Sequence, residues 1–229
     1  MEGDMAEVQV RTGFAQRLRA LTRAAHEEAE SRPFVRALLA GRVEADGFAA
    51  LLAQHYFAYR VLEDAADRMR SDLIAGPFVS DRLHRLSALE SDLHYYLGPD
   101  WRGLIRPSAA TEVYCARLRE VCFDRPECFV AHHYTRYLGD LSGGQVLRAA
   151  LSRSLGLVDD GGFAFLTFEE IPNRPRFKDA YRTLLDTAGW DGAAENRIIA
   201  EVRHAFALNA AVLDELGRRL VPPIPRPRR

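Results

Sequence analysis

The chain has 229 residues, of which 48% are hydrophobic, so it is long and apolar enough to bury the core of one globular domain. Its 31 basic and 32 acidic residues nearly cancel to a net charge of −1, and no overall field favours nucleic acid or an anionic membrane. No segment approaches the roughly 18 consecutive apolar residues of a membrane span. Because the N-terminus lacks a signal-peptide core and the three cysteines lack a CxxC spacing, we expect a cytoplasmic protein.

Helical periodicity dominates the chain. The apolar spacing predicts helices over residues 14–30, 33–41, 44–74, 81–97, 109–122, 126–155, 176–187 and 193–220. Ser80 and Ser108 have the residue type and position of helix N-caps. The segment 163–168, FAFLTF, alternates and is predicted to be a short extended piece.

Strand signals are too few for a sheet, which indicates an all-α fold of about seven to nine helices. Residues 12–220 are predicted to form a single domain. Residues 1–11 are predicted to be a flexible N-terminus, and residues 221–229, rich in proline and arginine, a disordered tail. We expect a monomer, because no long apolar stripe is left without a place in the core.

Three glycines, Gly139, Gly143 and Gly144, lie inside the predicted helix 126–155. A glycine in a helix interior costs about 1 kcal/mol relative to alanine, so the set costs about 3 kcal/mol. Gly139 and Gly143 share one face and make a strip of bare backbone there. Such a strip suits a close helix crossing, a hinge or a flat ligand lying on the helix. This segment alone favours a crossing or a kink.

Among the seven histidines, His26 has the neighbours most typical of a metal ligand. A ligating imidazole usually gives its other N–H to a carboxylate, and Glu30 at i+4 is within reach to accept it. Thr22 lies at i−4 on the same face, together with Arg19 and Arg23. The alternative is a solvated, charged helix face, and the spacing alone favours that alternative.

A bare di-metal carboxylate site is less well supported. Such a site needs Glu-x-x-His motifs from two helices and glutamates from two more. Glu90 with His94 and Glu201 with His204 are the only candidate pairs, and the motif does not repeat on two partner helices. The sequence also lacks a GxSxG nucleophile elbow and a lysine-bearing phosphate loop.

Four segments together resemble the heme oxygenase family over roughly residues 12–216. They are LTRAAHEEAE (21–30), YTRYLGDLSGGQ (134–145), FKDAYR (177–182) and AFALNAAVLDEL (205–216). The resemblance implies an all-α fold that holds heme between a proximal helix, about 14–30, and a kinked distal helix, about 128–154. It implies cleavage of heme to biliverdin, carbon monoxide and ferrous iron. Heme is both substrate and cofactor, and dioxygen and a ferredoxin or flavoprotein reductase are the partners.

The resemblance also assigns residues near the iron. His26 matches the axial iron ligand, and Thr22 and Glu30 match its neighbours. Asp140 matches a carboxylate that orders water on the distal side of the heme. The glycines whose backbone lies over the heme correspond to Gly139, Gly143 and Gly144.

Another group of residues matches the surroundings of the heme propionates: Tyr134, Lys178 and Arg182, with Arg19 and Arg23 at positions where many relatives carry lysine. Further pocket or network positions correspond to Tyr59, Arg136, Phe206 and Asn209. The exchange of lysine for arginine keeps the charge but changes how a carboxylate is bound, since guanidinium binds it as a fork. With the basic set intact, we expect attack at the α-meso carbon and biliverdin IXα as the product.

Two other functions stay open from the sequence. One is a heme carrier or sensor that keeps the pocket without turnover, although such a protein has no need of Asp140. The other is a non-heme enzyme on the same helical scaffold, such as a di-metal oxidase.

Overall fold

The computed structural model describes residues 13–155 and 161–220. The predicted flexible N-terminus 1–11 and the predicted tail 221–229 lie outside these ranges. Within them every long regular element is a helix, so the all-α prediction is confirmed. The helices are α1 (Phe14–Glu30), α2 (Pro33–Leu39), α3 (Ala45–Met69), α4 (Leu86–Leu97), α5 (Trp101–Leu104), α6 (Ala109–Val121), α7 (Pro126–His133), α8 (Gly139–Leu155), α9 (Arg174–Thr187) and α10 (Gly192–Leu220).

Helices α3 and α10 form the centre of the fold. Helix α10 packs against α1, α2, α3, α6 and α7, and α3 packs against α4, α6 and α7. Helix α3 is central because it is buried around most of its circumference. Its side chains Phe48, Leu52, Tyr59 and Leu62 are at most 1% exposed. Helix α1 is amphipathic instead, so one face joins the core while the other stays free to line a cleft.

Residues 126–155 form one uninterrupted helical run, which we call the glycine helix. It consists of α7, a π-helical turn over Tyr134–Leu138 (the π segment) and α8. The Thr135 hydroxyl donates to the Ala131 carbonyl at 2.8 Å, a bond that competes with the regular backbone ladder. Such π turns often occur at functional sites. This one immediately precedes Gly139, in the helix for which a kink was expected.

Several predicted helices differ from the structure in their boundaries, and two differ by five residues. The helix predicted over 44–74 ends at Met69. The helix predicted from residue 81 begins at Leu86, because Glu63 of α3 accepts hydrogen bonds from the Arg85 and Leu86 amides and caps it there. Ser80 makes no side-chain cap, and residues 81–83 form a short 3₁₀ turn.

The prediction that residues 163–168 are extended is wrong. Ala164–Leu166 form a 3₁₀ turn, because the buried Asp92 carboxylate accepts the amides of Ala164 and Phe165. The predicted cap at Ser108 is confirmed, since its hydroxyl accepts from the Thr111 amide. Across the described part of the chain, no helix is both long and apolar enough to cross a bilayer.

Candidate active site

A cleft runs between α1 and the glycine helix. It consists of two adjoining cavities, of about 580 and 490 Å³, that share several lining residues. The shared residues are His26, Glu30, Thr135, Gly139, Ser142 and Phe206. One cavity extends toward α9 and is lined by basic side chains, whereas the other extends toward α2, α3 and α10 and is lined by apolar side chains.

His26 lines the cleft from α1. Its Nε2 lies 3.3 Å from Glu30 Oε1, one turn further along the helix. The Phe206 ring packs edge-on against the imidazole, with 5.4 Å between the centroids. The Thr22 hydroxyl donates to the Leu18 carbonyl and so packs inward beneath the same face. One ring nitrogen therefore has a carboxylate beside it, an arrangement typical of metal-ligating histidines, and the ring packs on an aromatic neighbour.

The glycine strip forms another part of the cleft lining. A Cβ built on Gly139 or Gly143 would meet no atom of a described residue within 4 Å, apart from the helix's own backbone. Both glycines therefore border open space, and neither lies at a tight helix crossing, one of the two arrangements that the segment alone favoured. At Gly144 the added Cβ would lie 3.5 Å from the Leu166 carbonyl oxygen. The bare backbone is thus available to a flat ligand.

Four basic side chains line the basic cavity. They are Arg19, Arg23, Lys178 and Arg182. The Arg23 and Arg182 side chains pair with Glu27 (3.7 Å) and Asp179 (2.6 Å) on the exposed surfaces of their own helices. Exposed pairs of this kind contribute little free energy, so these cations can exchange their partners for a bound anion.

Lys178 and Tyr134 provide further polar groups at this end. The Lys178 ammonium donates to the Ser142 hydroxyl at 3.2 Å. Burial and the positive charge of Arg182 lower the pKa of Lys178. Burial raises the pKa of Tyr134, while Arg182 and Arg19 lower it in part, so its hydroxyl remains a donor at neutral pH. This end of the cleft is therefore rich in donors and positive charge, which suits carboxylates.

Sequence reasoning missed the apolar cavity. Its walls come from α2, α3, the 163–168 turn, α8 and α10, and they include Val35, Leu38, Leu39, Phe48, Leu51, Val146, Leu147, Phe165, Leu166 and Leu213. The only signal in the sequence was the apolar stripe of α3, which is typical of a helix packed in a core and gives no sign of a cavity.

Asp140 lines the apolar cavity, and side chains on the protein side of the cavity wall hold its carboxylate in place. The Tyr59 hydroxyl donates to Asp140 Oδ2. The Arg136 guanidinium lies over the Tyr59 ring, 4.9 Å from its centroid, and donates from Nη1 to Asn209 Oδ1 at 2.8 Å. Its Nη2 lies 3.2 Å from His55 Nδ1. A carboxylate in the cleft is thus backed by a buried tyrosine and a buried cation.

The protonation states of this network follow from burial. Burial raises the pKa of Asp140, while Arg136 and the Tyr59 hydrogen bond lower it in part. Burial raises the pKa of Tyr59 well above its ordinary value, so the hydroxyl keeps its proton. Burial and the charge of Arg136 lower the pKa of His55 well below its usual range. His55 is therefore neutral at physiological pH, and its Nδ1 accepts from Arg136.

The structure brings the predicted site residues to one cleft. All of the residues predicted from α1, the glycine helix, α9 and α10 line it, and Tyr59 lies behind it, in contact with Asp140. The residues of the di-metal alternative do not form a shared site. Glu90 pairs with Arg102, and Glu201 pairs with His132 and Arg117 instead of His204. Within residues 13–155 and 161–220, no three His, Cys, Asp or Glu side chains converge on a metal-sized point.

The fold and the cleft define a helical protein that can hold a flat amphiphilic ligand against an imidazole, with an anionic edge at one end and an apolar edge at the other. A sequence model described as heme oxygenase matches residues 12–215. The chain belongs to the heme oxygenase family.

Individual relatives extend over most of the chain. The heme oxygenase of Rhodella violacea is 39% identical over 92% of this chain and 89% of its own length. Heme oxygenase 1 of Homo sapiens is 39% identical over 90% of this chain and 73% of its own length. Heme oxygenase-1 of Synechocystis sp. PCC6803 in complex with heme superposes with a TM-score of 0.87 at 37% identity, covering 92% of this chain and 95% of that one. The heme oxygenase of Leptospira interrogans gives 0.84 at 34% identity, with 89% and 100% covered.

Proposed function

We propose that this chain is a heme oxygenase, which binds heme in the cleft between α1 and the glycine helix and cleaves it to biliverdin, carbon monoxide and ferrous iron. The observation that carries the proposal is the composition of the cleft. His26 lines it together with the bare backbone of Gly139 and Gly143, and its two ends are basic and apolar. This matches a disc-shaped metal complex with two carboxylates on one edge and hydrocarbon substituents on the others.

His26 is the proposed axial ligand to the heme iron. The Glu30 carboxylate lies 3.3 Å from Nε2, where it can take the N–H of one ring nitrogen and select the tautomer when iron binds. The lone pair of the other ring nitrogen is then free for iron. Gly139 and Gly143 allow the backbone of the glycine helix to approach the ring, since a Cβ at either position would project into space the ring needs.

The cations at the basic end are proposed to bind the propionates. Lys178, Arg182 and Arg19 line this cavity with the Tyr134 hydroxyl. Charge-assisted hydrogen bonds are about twice as strong as neutral ones, so this end fixes the rotation of the ring in the cleft. Rotation decides which meso carbon is exposed to attack, and we expect the α isomer of biliverdin IX.

Asp140 is proposed to control the proton supply. Heme, when bound, supplies the iron centre at which dioxygen is reduced and the ring that is oxidised. Because Oδ2 of Asp140 accepts from Tyr59, Oδ1 is the oxygen left to hold a water in the cleft. The neighbouring Arg136 keeps the carboxyl oriented through Tyr59, and burial raises the pKa of Asp140.

The setting of the reaction is also part of the proposal. Three buried free cysteines fit a reducing cytoplasm. The cations around the mouth of the basic cavity suit an acidic electron donor, a ferredoxin or a flavoprotein reductase, with dioxygen as co-substrate. We propose that the protein acts as a monomer.

A spectroscopic titration tests the function. Hemin is added to the purified protein, and then ascorbate or a ferredoxin and its reductase is added in air. A Soret band that grows on binding and decays to the absorption of biliverdin on reduction is the expected result. A band that persists unchanged identifies a carrier or sensor, and failure to form any band excludes heme as the ligand.

A further inference from the structure

The turn formed by residues 163–168, which we call the FAFLTF turn, builds one wall of the apolar cavity. Phe165 and Leu166 line the cavity from this turn. The Phe165 ring also packs against Tyr59 and His55, with centroids 5.6 and 5.3 Å apart. The position of this turn therefore sets both the shape of the apolar end and the packing behind Asp140.

Asp92 of α4 holds the turn from outside the cleft. Its Oδ1 accepts from the Ala164 amide at 2.9 Å and its Oδ2 from the Phe165 amide at 2.8 Å. The side chain is buried, with 1% of the residue exposed, and it is not among the residues that line the cleft. An ionised carboxylate is expensive to bury unless hydrogen bonds compensate it, and here each oxygen has a backbone partner.

Two further contacts fix the opposite end of the turn. Arg85 donates from Nη1 to the Thr167 carbonyl at 2.6 Å and lies 3.9 Å from the centroid of the Phe168 ring. On the side of the glycine helix, the Leu166 carbonyl lies against the bare backbone of Gly144. The turn is thus clamped between α4 and α8, and its apolar side chains have little freedom to adjust to a differently shaped ligand.

We propose that Asp92 is a positioning residue that determines specificity: through the FAFLTF turn it fixes the wall against which the apolar edge of the tetrapyrrole rests. The inference rests on the proposed function. It predicts discrimination between tetrapyrroles that share iron and propionates but differ in their apolar substituents. Hemin carries two vinyl groups where deuterohemin carries hydrogen, so a rigid wall shaped for the larger edge favours hemin.

The test compares the affinities of hemin and deuterohemin by Soret titration in wild type and Asp92→Asn. The asparagine keeps the size of the side chain but presents one acceptor and one donor to two backbone donors, so one hydrogen bond is lost. We expect the preference for hemin to fall, by at most about five-fold, because the resistance of the wall that the variant removes is limited to one net hydrogen bond. Iron ligation should persist, because His26 is untouched.

Asp72→Asn is the matched control. Asp72 also accepts two backbone amides, those of Ile74 at 2.9 Å and Ala75 at 2.8 Å, both at Oδ1, and it lies after α3 and outside the cleft lining, so this variant controls for the same exchange of residue type away from the cleft. Its variant should keep the wild-type preference. Wild-type selectivity in a folded Asp92→Asn protein would reduce Asp92 to a purely structural role and overturn the inference.

A second variant covers the case in which Asp92→Asn does not fold. Phe165→Leu changes the same wall directly, so it should also reduce the preference for hemin, and unchanged selectivity in this variant would likewise contradict the inference. If wild type binds neither tetrapyrrole, the proposed function itself fails. If wild type binds both and discriminates but neither variant alters the ratio, only the role of the clamped turn fails.

Discussion

At the scale of single residues, the proposed chemistry of the cleft rests on two side chains that are held in different ways. His26 is half-exposed and held by neighbours of its own helix and by Phe206. Asp140 is held by side chains distant in sequence, with Tyr59 81 positions away. The first is therefore a proposed ligand placed by local helix geometry, and the second is a carboxylate placed by the tertiary fold. Mutations should separate these roles.

His26→Ala should abolish axial ligation by the protein and with it the turnover of heme. The cleft keeps its basic and apolar ends, so hemin should still bind, with a lower affinity and an altered Soret spectrum. Added imidazole should restore the spectrum and part of the activity by entering the space left by the side chain. His94→Ala, an exposed histidine on α4, is the control. A variant with wild-type ferrous–CO spectra would show that His26 is not the ligand.

Asp140→Asn should leave the affinity for hemin nearly unchanged while biliverdin formation falls by about 10²-fold, the usual contribution of a positioned proton donor. Tyr59→Phe should have a smaller effect, because it removes the donor to Oδ2 but leaves the carboxylate. Soret titration and single-turnover product yields measure the two quantities separately. Normal biliverdin production by Asp140→Asn would mean that the carboxylate only supports the fold.

At the scale of elements, the glycine helix gives up stability for access. Gly143→Ala should stabilise the fold by about 1 kcal/mol, because alanine is the better helix former. The same Cβ would project into the cleft, so the affinity for hemin should fall. Thermal unfolding should show a rise of about 2–4 °C for a chain of this size. Gly103→Ala on α5, where a Cβ also meets open space but outside the cleft, should leave hemin affinity unchanged. Unchanged affinity in Gly143→Ala would argue against a ligand lying on this strip.

Helix α9 is expected to set the rotation of the ring. Lys178 and Arg182 lie one turn apart on it, and each charge-assisted pair with a propionate is worth about 1.5–3 kcal/mol when partly buried. A difference of 1.4 kcal/mol is about a factor of ten in population, so the intact set should give one dominant isomer. Replacing both residues by alanine should give a mixture, whereas Arg176→Ala, outside the cleft lining, should not. Chromatography of the biliverdin isomers measures this, and a mostly β or δ product from wild type would show that the anchor is wrongly assigned.

The sequence predicted the elements well where local periodicity determined them and poorly where a distant side chain did. The helices α1, α6 and α10 follow from apolar spacing, and α6 also from its Ser108 cap. The start of α4 and the FAFLTF turn depend on Glu63 and Asp92, each buried and distant in sequence from the amides it binds. The apolar residues of the turn alternate along the sequence, which is also typical of a strand. Here they alternate because the turn is buried between helices. No local sequence pattern shows which distant carboxylate will bind the amides of these segments.

At the scale of the whole molecule, the cleft exists because separate helices meet around it. The basic half combines α1 with α9, and the apolar half combines α2, α3, α8 and α10. Local spacing made His26 with Glu30 and the glycine strip candidates, although by itself it favoured a solvated helix face for the first and a crossing or kink for the second. The resemblance to a family supplied Tyr59, Arg136 and Asn209, whose partners lie 73 to 81 positions away. The apolar cavity was not foreseen, since its walls have the sequence pattern of an ordinary core.

A buried ion pair outside the cleft lining joins three of the helices. Glu201 of α10 lies 2.9 Å from His132 Nε2 of α7 and 2.6 Å from Arg117 Nη2 of α6. Although burial raises the pKa of Glu201, the hydrogen bonds from His132 and Arg117 prevail and lower it to about 2. The carboxylate is therefore ionised wherever the protein is folded at ordinary pH, and it ties the central helix to its neighbours.

The depressed pKa of Glu201 makes stability depend on pH. Because the folded-state pKa lies below the ordinary value of 4.5, the stabilisation is complete above pH 4.5 and is lost as the pH falls toward 2. The shift corresponds to at most about 3 kcal/mol. Urea unfolding between pH 2 and 6 should show this loss in wild type and a flatter profile in Glu201→Gln. Glu120→Gln removes an exposed partner of the same Arg117 and should retain the wild-type slope, since exposed pairs contribute little. Parallel profiles for wild type and Glu201→Gln would show that another group governs the acid transition.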